Sequence, residues 1–268
     1  MQELNNRANV QTFSFVDKDI ILYDDHRYIL NVIFHAMKKG YIQNPPDLVF
    51  FDEHDDFAEI RKTKQSIIED LNVQNIIDIS EQEFYKFVEF HTGRDDGDWL
   101  RYAVELNLLR NVVVVGQHYN DNVRYLHQHK YTGSDGVEHK LFEINHLVDE
   151  LKRPGALYED SFTDPQHPER DDIRNIIHSK NVILDFDLDC FTTECMGYTL
   201  AWPEDVFVSE YVKNREVYSL MIDLMQRSKF ITIAKEPACC GGLGESNKIL
   251  SYLDRYFFKG TMGTFPIR

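Results

Sequence analysis

Two hydrophobic runs of this chain end abruptly in carboxylates. Leu48-Val49-Phe50-Phe51 leads into Asp52-Glu53-His54-Asp55-Asp56, and Val182-Ile183-Leu184 leads into Asp185-Phe186-Asp187-Leu188-Asp189. A strand turns alternate side chains to opposite faces, so a run that is apolar at every position needs cover on both. Val112-Val113-Val114-Val115 is another such run. Strands of this kind belong in a mostly parallel sheet between helical layers, where ligands bind beyond the carboxyl ends of the strands. The acidic words stand at those ends. In extended backbone Asp52, His54 and Asp56 leave the same side, as do Asp185, Asp187 and Asp189. Gathering so many like charges out of water is costly unless a cation compensates. A divalent metal is the simplest compensation, and the number of carboxylates argues for more than one.

The rest of the chain fits this frame. Residues 12–16 and 20–23 read as short strands around a turn at Asp17-Lys18-Asp19. Ile29, Val32, Ile33, Ala36 and Met37 have helical spacing and predict a helix over 28–39. Gly40 stops it, and Pro45-Pro46 forbids helix before the next strand. Further helices are expected over 81–90, 98–109, 173–178, 203–225 and 245–258, and further strands over 141–144 and 230–234. Residues 118–137 are polar and irregular. Residues 153–172 carry three prolines and read as a loop able to border a substrate site. Without a repeat or a linker, the expectation is one α/β domain over residues 1–268, a three-layer α/β/α fold with a mostly parallel central sheet.

Composition removes several classes of function. A formal charge of −16 opposes nucleic-acid binding, which needs clustered Lys and Arg; solubility accounts for the charge itself. No run approaches the roughly 18–20 apolar residues of a membrane span. The polar start, Met1-Gln2-Glu3-Leu4-Asn5, lacks the apolar stretch of a signal peptide, so a cytoplasmic location is expected. Cys190, Cys195, Cys239 and Cys240 show no paired C-x-x-C spacing, which points to reduced thiols and not to structural zinc. Trp99, Phe84, Phe87 and Val88 read as core, and His118, His127 and His129 as surface residues.

Carboxylate and imidazole ligands without a thiolate suit Mn²⁺, Fe²⁺ or Zn²⁺, and the excess of carboxylates favours Mn²⁺. His26 adds an imidazole beyond the strand that ends at Tyr23.

At this point a family resemblance emerges. Asp52-x-His54-x-Asp56 resembles the D-x-H-x-D motif of the ureohydrolases, the arginase and agmatinase superfamily. Leu184-Asp185-Phe186-Asp187-Leu188-Asp189 is similar to its second metal motif, Asp24-Asp25-His26 to its first, and Ile231 to Pro237 to its last strand, which ends in a substrate-gripping glutamate. The wording is closest to the peptide arginases, and four motifs stand in the family's order between Ile20 and Pro237. The resemblance implies an arginase/deacetylase-like fold holding two Mn²⁺, with Fe²⁺ or another divalent metal as the alternative. It implies hydrolysis of arginine side chains in a ribosomally made precursor peptide, giving ornithine and urea. His26, Asp52, Asp56 and Asp187 would hold one metal. Asp52, His54, Asp187 and Asp189 would hold the other. Asp56 would aim the attacking water and Glu236 would grip the guanidinium.

The chain also departs from the family. D-x-D-x-D allows Asp185-Asp187 as the ligand pair, although the strand register favours Asp187-Asp189. Asp24 and Asp25 replace glycines. No histidine follows Asp56 until His91, which makes His91 the candidate for the family's proton shuttle. Rival readings are a single-zinc deacetylase of the same fold, a ureohydrolase of free arginine or agmatine, and a metal-stabilised binder of basic peptides.

Overall fold

Hydrophobic runs and turn residues assemble here around one eight-stranded sheet. The structure is a computed structural model describing residues 1–6, 10–54, 56–70, 75–93, 97–116, 128–144 and 168–264. In chain order the elements are β1 (Val10–Phe15), β2 (Lys18–Tyr23), α1 (Ile29–Lys38), β3 (Asp47–Phe51), α2 (Lys64–Asp70), α3 (Glu81–His91), α4 (Trp99–Glu105) and β4 (Val112–Val115). Then come β5 (Gln128–Thr132), β6 (Glu138–Ile144), α5 (Pro168–Ile177), β7 (Val182–Asp187), β8 (Thr192–Cys195) and β9 (Tyr198–Ala201). The series closes with α6 (Glu204–Phe207), α7 (Arg215–Arg227), β10 (Ile231–Ala234) and α8 (Leu243–Tyr256).

The strands lie in the order β1-β2-β10-β7-β3-β4-β6-β5. Every pairing from β2 to β6 is parallel, and only the edge strands β1 and β5 pair antiparallel. The pleat divides the core as the apolar runs require. Val49 and Phe51 of β3 pack with α5, α7 and α8. Leu48 and Phe50 of the same strand pack with α1, α3 and α4 on the other face. The fold is thus a three-layer α/β/α sandwich. Among the described residues no helix is long and apolar enough to cross a membrane.

Local chemistry explains where elements depart from the sequence expectations. The β1–β2 turn is Val16-Asp17, with Val16 at φ 57, so β2 starts at Lys18. The long helix expected over 203–225 is interrupted: α6 passes into a wide π-type turn over Val208–Lys213, and Asn214 is extended. The Asn214 side chain accepts the amides of Glu216 and Val217, which starts α7 afresh. α4 ends early, followed by Asn107 at φ 54. β5 occupies part of the stretch read as irregular. The helix expected from 173 begins at Pro168, a residue that suits a first helical turn. Residues 153–167 of the expected loop, and His118 and His127, lie outside the described residues. The hairpin β8–β9 was not foreseen either; its turn, Met196-Gly197, has φ 53 and 80, the left-handed pair that right-twisted strands demand.

Candidate metal centre

Strand order decides which side chains can meet. β2, β10, β7 and β3 are neighbours, and all four point their carboxyl ends to the same edge. In register, Ala234 lies between Tyr23 and Asp187, and Phe186 lies beside Phe51. The residues that follow are His26 after β2, Glu236 after β10, Asp187 and Asp189 at the end of β7, and Asp52, His54 and Asp56 after β3.

These side chains converge. His26 Nδ1 lies 3.2 Å from Asp52 Oδ2, 3.0 Å from Asp56 Oδ2 and 3.0 Å from Asp187 Oδ2. His54 Nδ1 lies 3.2 Å from Asp189 Oδ2 and 3.5 Å from Asp52 Oδ1. Potential ligand atoms gather as His26–Asp52–Asp56, as Asp52–His54–Asp189 and as His26–Asp187–Glu236. Asp52 belongs to two of these groups. The chain therefore brings together the six residues proposed from the sequence as metal ligands, and Glu236 with them.

Asp185 is placed differently from its neighbours in the acidic word. It lies wholly buried and accepts hydrogen bonds from the Tyr23 hydroxyl (3.0 Å) and the Thr232 hydroxyl, while His26 Nε2 stands 2.6 Å from its Oδ2. Burial and the adjacent Asp185 hold the Tyr23 phenol well above its ordinary range, so it stays a donor. A carboxylate only accepts, so Nε2 carries a proton, and Nδ1, which faces Asp52, Asp56 and Asp187, is the nitrogen that would exchange its proton for a metal. The pair in the cluster is Asp187-Asp189, with Asp185 orienting the imidazole. In Asp185→Asn, the amide facing Nε2 would drive the imidazole proton onto Nδ1, the atom needed as ligand. Calorimetric titration with Mn²⁺ should then show affinity reduced by about 10–100-fold; an unchanged Kd would remove His26 from the ligand set.

Asp56 is held by constraints of its own. Its backbone sits at φ 49, its carbonyl accepts the Leu100 amide, and Trp99 Nε1 donates to Asp56 Oδ2. Gly97, at φ 53, comes so near that a Cβ would stand 2.7 Å from Asp56 Oδ1. Trp99 is core, as expected of its place at a helix start, yet its indole also aims a site carboxylate and lies 4.6 Å from the His26 ring. Asp25 and Asp24 are engaged as well. Asp25 caps the turn carrying His26 by accepting the Arg27 amide, and Asp24 pairs with Lys235 at 2.5 Å. Glu236, at φ 35, accepts the His26 amide at 2.8 Å and donates its own amide to the Asp24 carbonyl.

Above these groups opens a cleft of about 600 Å³, lined by His26, His54, Asp56, Trp99, Glu236 and Cys239 among others. His91 is not among its lining residues. It borders a separate small cavity with Lys62, Asp70 and Phe87, so the structure does not bring it to the cluster. The sequence reading missed Tyr23, Thr232, Gly97 and Cys239 as parts of the site.

The electrostatics show what this cluster lacks. His26 Nδ1, Asp52 Oδ2 and both oxygens of Asp189 are buried without a hydrogen-bond partner. Buried polar atoms are normally satisfied; orphans of this kind, all of them good ligands for a hard divalent ion, fit a metal. Burial, with Asp56 and Asp189 alongside, pushes Asp52 up to about 8. Burial, with Asp189 and Glu236, lifts Asp187 well above the carboxylate range. Burial works against protonation of His26, but Asp185 and the other carboxylates prevail and raise its pKa.

The sign of the resulting pH dependence follows. A folded-state pKa above the unfolded value means that the native chain binds more protons, so stability falls as pH rises between the two values. Metal-free protein should lose stability from the ordinary carboxylate range up to about pH 8. Divalent ions bind the ionised groups, so the gap in Tm between Mn²⁺-loaded and EDTA-treated protein should widen from pH 5 to 8. A gap independent of pH would mean that these carboxylates are not the ligands.

No protein-family model matches this chain, and a search of curated proteins finds no significant match.

Proposed function

We propose that this chain is a binuclear metallohydrolase that converts arginine side chains of a peptide into ornithine with release of urea. One observation carries the reading: the ends of three sheet strands, β2, β3 and β7, deliver two imidazoles and four aspartates to one cluster in which His26 Nδ1, Asp52 Oδ2 and both Asp189 oxygens are buried without partners. His26, Asp52, Asp56 and Asp187 would hold one ion, and Asp52, His54, Asp187 and Asp189 the other, with Mn²⁺ best suited to so many carboxylates. Bound divalent ions supply Lewis-acid activation of water and neutralise the clustered charge.

The protein's own groups do the rest. Glu236, on the cleft wall, takes a planar cationic guanidinium by charge-assisted hydrogen bonds and sets its carbon toward the aspartates. Asp56, fixed by Trp99 and Gly97, accepts a hydrogen bond from the attacking water and orients it. Water adds to the guanidinium carbon, the bond to the side-chain nitrogen breaks, and that nitrogen leaves as an amine protonated from the open cleft. Asp185 keeps His26 in the tautomer that faces the aspartates. A peptidyl substrate is favoured over free arginine by the cleft's cations. Among its described lining residues Arg27 is committed to Asp25 and Glu89, so it is not available to grip a free α-carboxylate.

The test is to incubate Mn²⁺-loaded protein with an arginine-containing peptide and weigh the product. Loss of about 42 Da per arginine, with urea in the supernatant, is the expected hydrolytic outcome. Removal of acetyl from acetyl-lysine peptides instead would establish the deacetylase, and binding without any mass change the non-catalytic binder.

A further inference from the structure

Cys239 stands in the same cleft and takes no part in the reaction proposed above. The ligand atoms of Asp189, Glu236 and Cys239 all lie within 4.8 Å of one another. A single tetrahedral ion about 2.0–2.3 Å from oxygen and sulfur ligands spans donor separations of roughly 3.3–3.6 Å, so the three groups would close by up to about 1.5 Å around it. Asp189 is 2% exposed and neither of its oxygens has a hydrogen-bond partner; Oδ2 stands 3.2 Å from His54 Nδ1. Cys239 is exposed and lines the cleft, which leaves the group open to an entering ion. Burial and the Glu236 carboxylate hold its thiol protonated in the absence of a cation.

We propose that Asp189, Glu236 and Cys239 form an adjoining soft-cation site, which shares Asp189 with the carboxylate cluster, takes Zn²⁺ or Cd²⁺ through a thiolate and thereby occupies Glu236. Among the described residues, the other ligand groups contain only imidazole and carboxylate. Softness therefore distinguishes the sites: sulfur selects Zn²⁺ and Cd²⁺ where the hard cluster takes Mn²⁺. On binding, the S–H bond breaks, the proton passes to buffer and a sulfur–metal bond forms, with no change of oxidation state. The remaining thiols are not in this ligand group. Cys240 is buried with Sγ donating to the Lys235 carbonyl (3.3 Å), Cys190 is buried against the Val115 carbonyl, and Cys195 lies on β8. This inference depends on cleft geometry alone and holds whether or not arginine is the substrate.

The experiment is a titration of the Mn²⁺-loaded full chain with Cd²⁺, following the ultraviolet sulfur-to-cadmium charge-transfer band. The band should saturate at one Cd²⁺ per chain, vanish in Cys239→Ser and persist in Cys195→Ser. Glu236→Gln should weaken Cd²⁺ binding at least about tenfold. A band absent from the wild type, retained in Cys239→Ser or lost in Cys195→Ser overturns the proposal. So does unchanged affinity in Glu236→Gln, because the thiol would then bind alone. Arginine turnover is scored separately by product mass, so failure of either idea leaves the other measurable.

Discussion

Asp52→Asn should be more stable than the wild type in EDTA and less stable in Mn²⁺. The substitution keeps the shape of a side chain that is 1% exposed, and its oxygen can still accept the His54 amide, as Asp52 Oδ1 does at 2.7 Å. What disappears is an ionisable group that burial, Asp56 and Asp189 push up to about 8, so that near neutral pH the metal-free fold must protonate it or bear its repulsion. Without metal, relief of that repulsion stabilises the native state. A gain of about 1 kcal/mol corresponds to roughly 2–4 °C in Tm for a chain near this size. With Mn²⁺ the order reverses, because an amide replaces a carboxylate shared by two ligand groups. Turnover of an arginine peptide should fall by at least about a thousandfold, since water not activated by metal keeps a pKa near 15.7. Thermal melts with and without Mn²⁺, elemental analysis and product mass check all three points. Equal metal content in the variant and the wild type would remove Asp52 from the centre.

Gly241→Ala should produce the largest loss of stability among single-methyl changes at the described glycines. Gly241 adopts φ 83, and a Cβ there would stand 2.0 Å from the Thr199 carbonyl oxygen and 2.9 Å from its carbon. Backbone cannot rotate aside as a side-chain tip can, so either the loop or the β8–β9 hairpin must shift. Left-handed strain plus overpacking should cost about 3 kcal/mol or more. Gly40 makes a control: it has φ 76 with nothing within 4 Å of a Cβ, so Gly40→Ala isolates the strain at about 1 kcal/mol. Urea titration of both variants separates overlap from strain, and equal losses would mean that the contact with Thr199 is not tight. The site should feel Gly241→Ala as well, because the loop starts at Glu236 and the hairpin follows directly after Asp189.

The parallel sheet was legible because a strand covered on both faces has to be apolar at every position. Leu48–Phe51 and Val112–Val115 meet that requirement. The acidic words were legible as a site because they follow buried strands, but the alternation expected of them does not hold: Asp189 lies in a 3-10 turn over Leu188–Phe191, and Asp56 sits at φ 49, so turns and not a continued strand gather the carboxylates. Partnerships that depend on strand order were not legible. His26 meets Asp185 only because β10 holds β2 and β7 on its two sides, and no local pattern announces that arrangement. Trp99 was readable as core, but its hydrogen bond to Asp56 depends on a close approach at Gly97. His91 was chosen as the next histidine along the chain, and nearness in sequence did not become nearness in space. The break at Asn214 was missed because helical periodicity continues through it, while one amide side chain restarts the hydrogen-bond ladder.

The cluster draws its members from both halves of the chain, His26 beyond the second strand and Glu236 beyond the tenth. No early fragment of the polypeptide contains the whole set. Cations bound by this cluster would therefore meet a finished scaffold and act as a latch: they would retard its opening and leave the speed of its closing to the sheet.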